Sequence, residues 1–261
     1  MKELTENFSV LYKHRELISS LVAKDLKARY RGSVMGMAWT FLNPLLLLSV
    51  YALVFSVYMR IQVENYAVFM FAGLLPWTWF ASSLMEGVNS ITGAGALITK
   101  SMFPAEILPM VKIVSNLFNY IFSLPLLFGF MVWYDVDFTL ALLWLPALMA
   151  VQLLFTMGLV YFVASINVRF RDVQHVLANV VLLWFFLCPI IYPISAIPDE
   201  WRFTFSLNPM AILAVGYQDI FIYGRTPDLF ALSMVMIVGA LCMILGVRQF
   251  ERGRETFAEE I

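Results

Sequence analysis

Six stretches of this chain run for 19 residues or more without Asp, Glu, Lys, Arg or His: 32–59, 65–85, 113–134, 138–168, 176–198 and 229–247. Nothing else in the sequence constrains the fold as strongly. A charge at mid-bilayer costs about 2.5–3.5 kcal/mol on insertion scales, and about 20 helical residues cross a hydrocarbon core about 30 Å thick. The pattern therefore predicts an all-α polytopic membrane protein with six transmembrane helices. Composition excludes the soluble alternative, because 61% of the 261 residues are apolar and only 13% charged, more apolar surface than a water-soluble fold can cover.

Orientation follows from Lys and Arg on alternate sides of these stretches. Residues 1–31, 86–112, 169–175 and 248–261 together hold 14, whereas the intervening segments hold only Arg60, Arg202 and Arg225. Both termini are thus expected in the cytoplasm. The first 31 residues carry eleven charges and no signal-peptide core, so the amino terminus is expected to be retained. With 17 basic against 18 acidic residues, charge gives no reason to expect nucleic acid. The expected organisation is a cytoplasmic amphipathic segment 1–31, a transmembrane domain 32–247 and a cytoplasmic tail 248–261.

Three local features refine this plan. In 16–31, Leu17, Ile18, Leu21, Val22 and Leu26 share one helical side and Lys24, Lys27 and Arg31 cluster opposite, which predicts an interfacial helix on the inner leaflet, although a plain positively charged flank also explains the charge. The 28-residue first stretch is interrupted by Asn43-Pro44, where the residue before proline is pushed out of helical geometry; a short lead-in helix at 35–42 is expected before the span proper. The loop 86–112 places Ala96–Phe103 between Gly87, Gly93, Gly95 and Pro104, Pro109, predicting a short helix exposed to the cytoplasm. Outside, 199–228 is too apolar for a solvated loop. Re-entrant helices between spans 5 and 6, broken at Asn208-Pro209, are the economical reading and a compact hairpin the alternative.

Chemistry is sparse. Ionisable groups for proton relays or acid and base work are missing from the uncharged stretches, and His14 and His175 lack the spacing of a metal helix. Asp135-Val-Asp137 reads as a solvated turn rather than a metal site. Cys188 and Cys242 lie in apolar runs and read as small fillers. Gly93–Ser101 superficially resembles a phosphate-cradling loop, but Ala94 and Thr99 stand where the motif needs glycine. No catalytic residue, metal or cofactor is expected. Asn116 and Asn119, one helical turn apart, suit either hydrogen bonding between helices or substrate contact. Aromatic residues crowd the first two spans, and Tyr51, seven residues past Pro44, lies too deep for an interfacial belt. An aromatic-lined path would suit sugar rings; lipid or helix packing is the alternative.

Several motifs in order carry a resemblance over nearly the whole chain: Arg29-Tyr30-Arg31-Gly32-Ser33 with Gly36, Trp39 and Pro44; Gly73-Leu74-Leu75-Pro76-Trp77; Lys100, Phe103-Pro104 and Glu106-Ile107-Leu108-Pro109; Asn167 with Phe170-Arg171-Asp172; Pro189-Ile190-Ile191-Tyr192-Pro193; and Asn208-Pro209. The chain resembles the permease subunits of ABC-2 type exporters of polysaccharide, the group that moves O-antigen, capsule or teichoic acid across the bacterial plasma membrane. Met35-Gly36 replaces the Leu-Gly common in relatives and keeps its apolar character. The resemblance implies a homodimer with two separate ATPase subunits that bind ATP and Mg, and a lipid-linked glycan path between the permeases. It makes 96–106 the coupling helix, with Leu97, Lys100, Phe103, Pro104 and Glu106 at the ATPase. It places Trp39, Tyr51, Phe55 and Trp77 along the path, Asn167, Arg171 and Asp172 in a cytoplasmic motif, and Phe203, Asn208 and Pro209 in the outer re-entrant region. An ABC-2 exporter of drugs or other lipophiles would share the topology; a membrane-embedded enzyme of glycan or lipid assembly is disfavoured by the missing carboxylate and histidine clusters.

Overall fold

The computed structural model describes residues 2–29, 31–60, 63–100, 103–254 and 256–260, and among these there is no strand. Two amino-terminal helices, α1 (Lys2–Lys13) and α2 (Arg15–Arg29), precede α3 (Trp39–Tyr51), which runs on through a π-helical stretch, Ala52–Tyr58. There follow α4 (Tyr66–Gly87), α5 (Gly95–Lys100), α6 (Ile107–Trp133), α7 (Leu145–Arg169) and α8 (Val173–Phe186), then α9 (Phe203–Ser206), α10 (Pro209–Phe221), α11 (Leu229–Arg254) and α12 (Phe257–Glu260).

Four of these helical runs are long and apolar enough to cross a membrane: Tyr66–Gly87, Ile107–Trp133, Leu140–Arg169 and Leu229–Arg254. Trp39–Phe55 and Val173–Phe186 are shorter apolar helices. The uncharged stretch 176–198 was expected to form one span, but α8 ends at Phe186 and its 14 residues reach only about 21 Å. The lead-in helix at 35–42 is also absent as such: a single 3-10 turn, Gly36–Ala38, leads into α3, and Pro44 lies inside that helix. Proline in the second turn removes one backbone bond close to the start of the helix, so the helix continues through it.

Helix α4 is the centre. All its residues from Tyr66 to Trp77 are buried, and it packs against α3, α6, α7, α8 and α10. An all-round apolar helix of this kind belongs inside a bundle. Helices α7 and α11 approach closely because glycines face each other: a Cβ at Gly158 would collide with the Cys242 backbone, and one at Gly246 with the Gly158 carbonyl. Small residues give membrane helices the backbone approach that packing without a hydrophobic driving force requires. At the far end of α6, Asp135 takes φ 52°, the left-handed geometry that closes the turn toward α7.

The second amino-terminal helix packs on the bundle. Val22, with Leu17, Ile18, Leu21 and Leu26 around it, packs on Ile107 and Val111 of α6. The apolar side of α2 is therefore partly covered by protein, with Val22 buried and Leu17, Ile18, Leu21 and Leu26 half-buried, while Lys24 and Lys27 stay exposed. The tail is not separate either: α11 extends to Arg254, and Phe250 and Phe257 are buried with rings 5.2 Å apart.

Candidate functional site

Charged groups gather at one end of the bundle, where α4, α7 and α11 finish and α6 begins. Arg29 of α2 donates to Glu86 of α4 at 2.8 Å and to the Asn116 side-chain oxygen at 3.1 Å. Lys112 of α6 pairs with Asp25 and lies 4.0 Å from Glu86. Two cations and two anions thus tie α2 across α4 and α6. Nearby, the Asn167 amide donates to the Val88 carbonyl at 3.0 Å and to Asn89 Oδ1 at 3.2 Å, which fixes the end of α7 to the turn after α4.

The expected coupling segment is divided by the structure. Helix α5 stops at Lys100, whose side chain lies outside the described residues, as do residues 101 and 102. Leu97 is 47% exposed on α5. Phe103 packs into the small cluster shared by α2 and α6, and the Pro104 carbonyl accepts from Ile107 N–H at the start of α6. Glu106, expected on the exposed surface, is fully buried. Its carboxylate pairs with Arg254 of α11, and its backbone carbonyl accepts from the Tyr161 hydroxyl of α7 at 2.7 Å. A lone buried carboxylate is costly, so a surface position and this burial are incompatible unless a cation reaches it. Arg254 supplies that cation from about 150 residues away, a pairing for which the sequence gives no local signal.

Three of the four expected path aromatics converge. Tyr51 lies 6.2 Å from Phe55 and 5.8 Å from Phe185 of α8, and Trp77 lies 5.7 Å from Phe185. Trp39 is apart from them. Its indole N–H donates to Ser33 Oγ at 3.1 Å, and it stands at the rim of a cavity of about 470 Å³ between α3, α4 and α6. Each helix turns a polar stripe into this cavity: Asn43 from α3, Thr78 and Ser82 from α4, and Asn116, Asn119 and Ser123 from α6. Of these, Asn116 and Asn119 stood out in the sequence as polar groups, and Asn43 only as the residue before Pro44. Isolated Ser and Thr in an apolar run are common, and their convergence depends on how the helices rotate against one another.

Arg171 and Asp172 are exposed between α7 and α8. Phe203 is also exposed. Asn208 is the organising residue of the opposite region. Its side-chain oxygen accepts from Met210 and Ala211 N–H, capping α10 ahead of Pro209, and from the Trp184 indole N–H at 2.8 Å; its amide donates to the Leu187 carbonyl at 3.1 Å. By accepting from two N–H groups at the start of α10 while bonding Trp184 and the Leu187 carbonyl, it fastens α10 to the end of α8. In the non-helical Pro189–Pro193 strip between them, buried side chains meet two of the carbonyls: Gln218 donates to Pro189 at 2.8 Å and Tyr66 to Ile191 at 2.9 Å. Irregular backbone at membrane depth is tolerated only when protein covers and satisfies it. Helix α10 is correspondingly buried against α4, whereas Trp201, Phe203 and Leu207 ahead of it are exposed.

Comparison with known proteins agrees with the arrangement. The chain is similar to the O-antigen export system permease protein RfbA of Myxococcus xanthus, with 44% identity over 253 residues, 96% of this chain and 97% of that protein. It is similar to two proteins of the same description from Klebsiella pneumoniae, with 30% identity over 245 residues and 94% of each chain covered. The family model for ABC-2 type transporters matches residues 16–222. With the helical bundle matched from α2 to the end of α10, this chain belongs to the ABC-2 type transporter family.

Proposed function

We infer that this chain is the membrane-spanning permease subunit of an ATP-driven exporter that moves a lipid-linked polysaccharide across the bacterial plasma membrane. The observation that carries the reading is the 44% identity, nearly end to end, with a permease of O-antigen export. In this reading the chain binds no nucleotide, and a separate ATPase subunit supplies the energy. Two copies of the permease, each with an ATPase, enclose the glycan path.

Helix α3 with its π-helical extension and α8 with the Pro189–Pro193 strip complete a six-span topology in this proposal, α10 entering from the outer side without crossing. Both termini are then cytoplasmic, in line with the Lys and Arg asymmetry. The charged end of the bundle faces the ATPase, and α5 is its contact. Movement of α5 passes through Glu106 into α6 and, by the pair with Arg254, into α11. Tyr51, Phe55 and Trp77 then line the route, where aromatic faces suit the apolar faces of sugar rings.

Deletion of the gene and complementation test this reading, with surface polysaccharide scored by gel and by antibody, and with co-purification of the neighbouring ATPase. Loss of surface polymer with accumulation of the lipid-linked precursor inside is the expected outcome. Unchanged surface polymer, or a permease that purifies without an ATPase, would overturn it.

A further inference from the structure

The cavity between α3, α4 and α6 lies within one copy of the chain, in the half of the bundle nearest the charged end. Polar side chains at membrane depth either bond across packed helices or line a space that holds water or a ligand. Here they converge from three helices on one space of about 470 Å³, within the size range of ligand pockets, roughly 300–1,000 Å³. Packing alone would have closed such a space with apolar side chains.

The chemistry of the wall selects the ligand. The Thr78 hydroxyl donates to the Leu74 carbonyl and the Ser123 hydroxyl to the Asn119 carbonyl, each at 2.8 Å. Both oxygens therefore retain lone pairs that accept, and Asn119 Oδ1 is buried without a partner among the described residues, whereas Asn116 is engaged by Arg29 and the Lys112 carbonyl. Arg29 is the cation among the described residues lining the cavity, and it is engaged by Glu86 at 2.8 Å, with Asp25 at 3.7 Å. With its charge met by acids, the site has little to offer a phosphate. Trp39, exposed at the rim and held by Ser33, presents a flat apolar ring beside this polar wall. A neutral ring with many hydroxyls and one apolar C–H face meets all of these conditions.

We propose that this cavity is a sugar-binding subsite in each permease copy, which takes a pyranose unit of the lipid-linked glycan from the cytoplasmic side before the chain enters the path between the copies. The proposal rests on the exporter reading above. It adds a site inside the protomer, where Thr78, Ser82, Asn119 and Ser123 read hydroxyl positions and Trp39 holds the ring face.

The test is photo-crosslinking in cells carrying the complete exporter, with p-benzoylphenylalanine introduced at Ser82, which faces the cavity, and separately at Leu241, an exposed apolar position on α11. A glycan-bearing adduct at Ser82 and none at Leu241 is expected. Adducts at Ser82 with phospholipid alone, or no adduct, overturn the subsite. In parallel, Ser82→Phe fills the cavity and should lower surface polymer at least about tenfold, with unchanged membrane abundance and ATPase co-purification. Export at the wild-type level would overturn the proposal. If the wild-type gene restores surface polymer while Ser82 yields no glycan adduct, the subsite fails and the exporter reading stands. If neither complementation nor adduct is seen, both fail.

Discussion

Glu106 and Arg254 form an ion pair that joins the start of α6 to the end of α11, with the carboxylate fully buried and the guanidinium half exposed. The segment expected to present Glu106 to a partner instead uses it as an internal tie. Helix α12 packs on α5 as well as α7, so the carboxy-terminal residues support the exposed helix from beneath.

Glu106→Ala is expected to lower stability by about 1–3 kcal/mol, less than the roughly 3–5 kcal/mol of a fully buried pair because the freed Arg254 can be hydrated. Glu106→Arg should be worse, since it buries a cation beside another. Thermal unfolding in detergent reads both. Partial recovery in Glu106→Arg combined with Arg254→Glu would identify the pair as the cause; equal stability of Glu106→Ala and wild type would refute it.

Leu97 is the better probe of the ATPase contact proposed for α5. Leu97→Asp changes an exposed apolar side chain and should leave unfolding unchanged while abolishing co-purification of the ATPase. Retained association at the wild-type level would place the contact elsewhere than α5.

The glycines between α7 and α11 make a graded prediction. Gly246→Val places side-chain atoms against the Gly158 carbonyl and should destabilise by about 1–3 kcal/mol or more, as overpacking does. Gly129→Ala, which meets nothing within 4 Å, should stay within about 0.5 kcal/mol of wild type. Comparable melting of both variants would contradict the close approach of the two helices.

Asn208 offers a test of the junction between α8 and α10. Asn208→Ala removes the cap of α10 and the Trp184 bond, a loss of about 2 kcal/mol by the usual worth of a cap and a buried hydrogen bond. Hydrogen exchange should accelerate at Met210–Leu213 and around Leu187. Asn208→Asp keeps the accepting oxygen but turns an anion toward the Leu187 carbonyl, so its effect at α10 should be smaller than its effect at the end of α8. Uniform acceleration across the chain in either variant would show global unfolding instead.

The membrane class was legible in the sequence because it depends on a sum: charge at mid-bilayer is costly residue by residue, and its absence over whole stretches is visible without any contact. The polar punctuation was legible for the same local reason. Asn208-Pro209 starts a helix whether or not its neighbours are known, since the cap bonds to residues two and three ahead. Pro44 misled because a proline costs one backbone bond, and at the second turn of α3 that cost does not stop a helix. The end of α8 at Phe186 had a local signal in Pro189, three residues on, which a reading by absent charge alone passes over; what permits the irregular strip beyond it is Gln218 and Tyr66, distant in sequence, meeting two of its carbonyls. Glu106 followed the same rule in reverse, since a carboxylate between prolines reads as surface until Arg254 is placed beside it. Segment type and membrane residence are properties of local composition. Burial, ion pairing and the polar cavity are properties of which helix faces meet, and only the tertiary structure decides that.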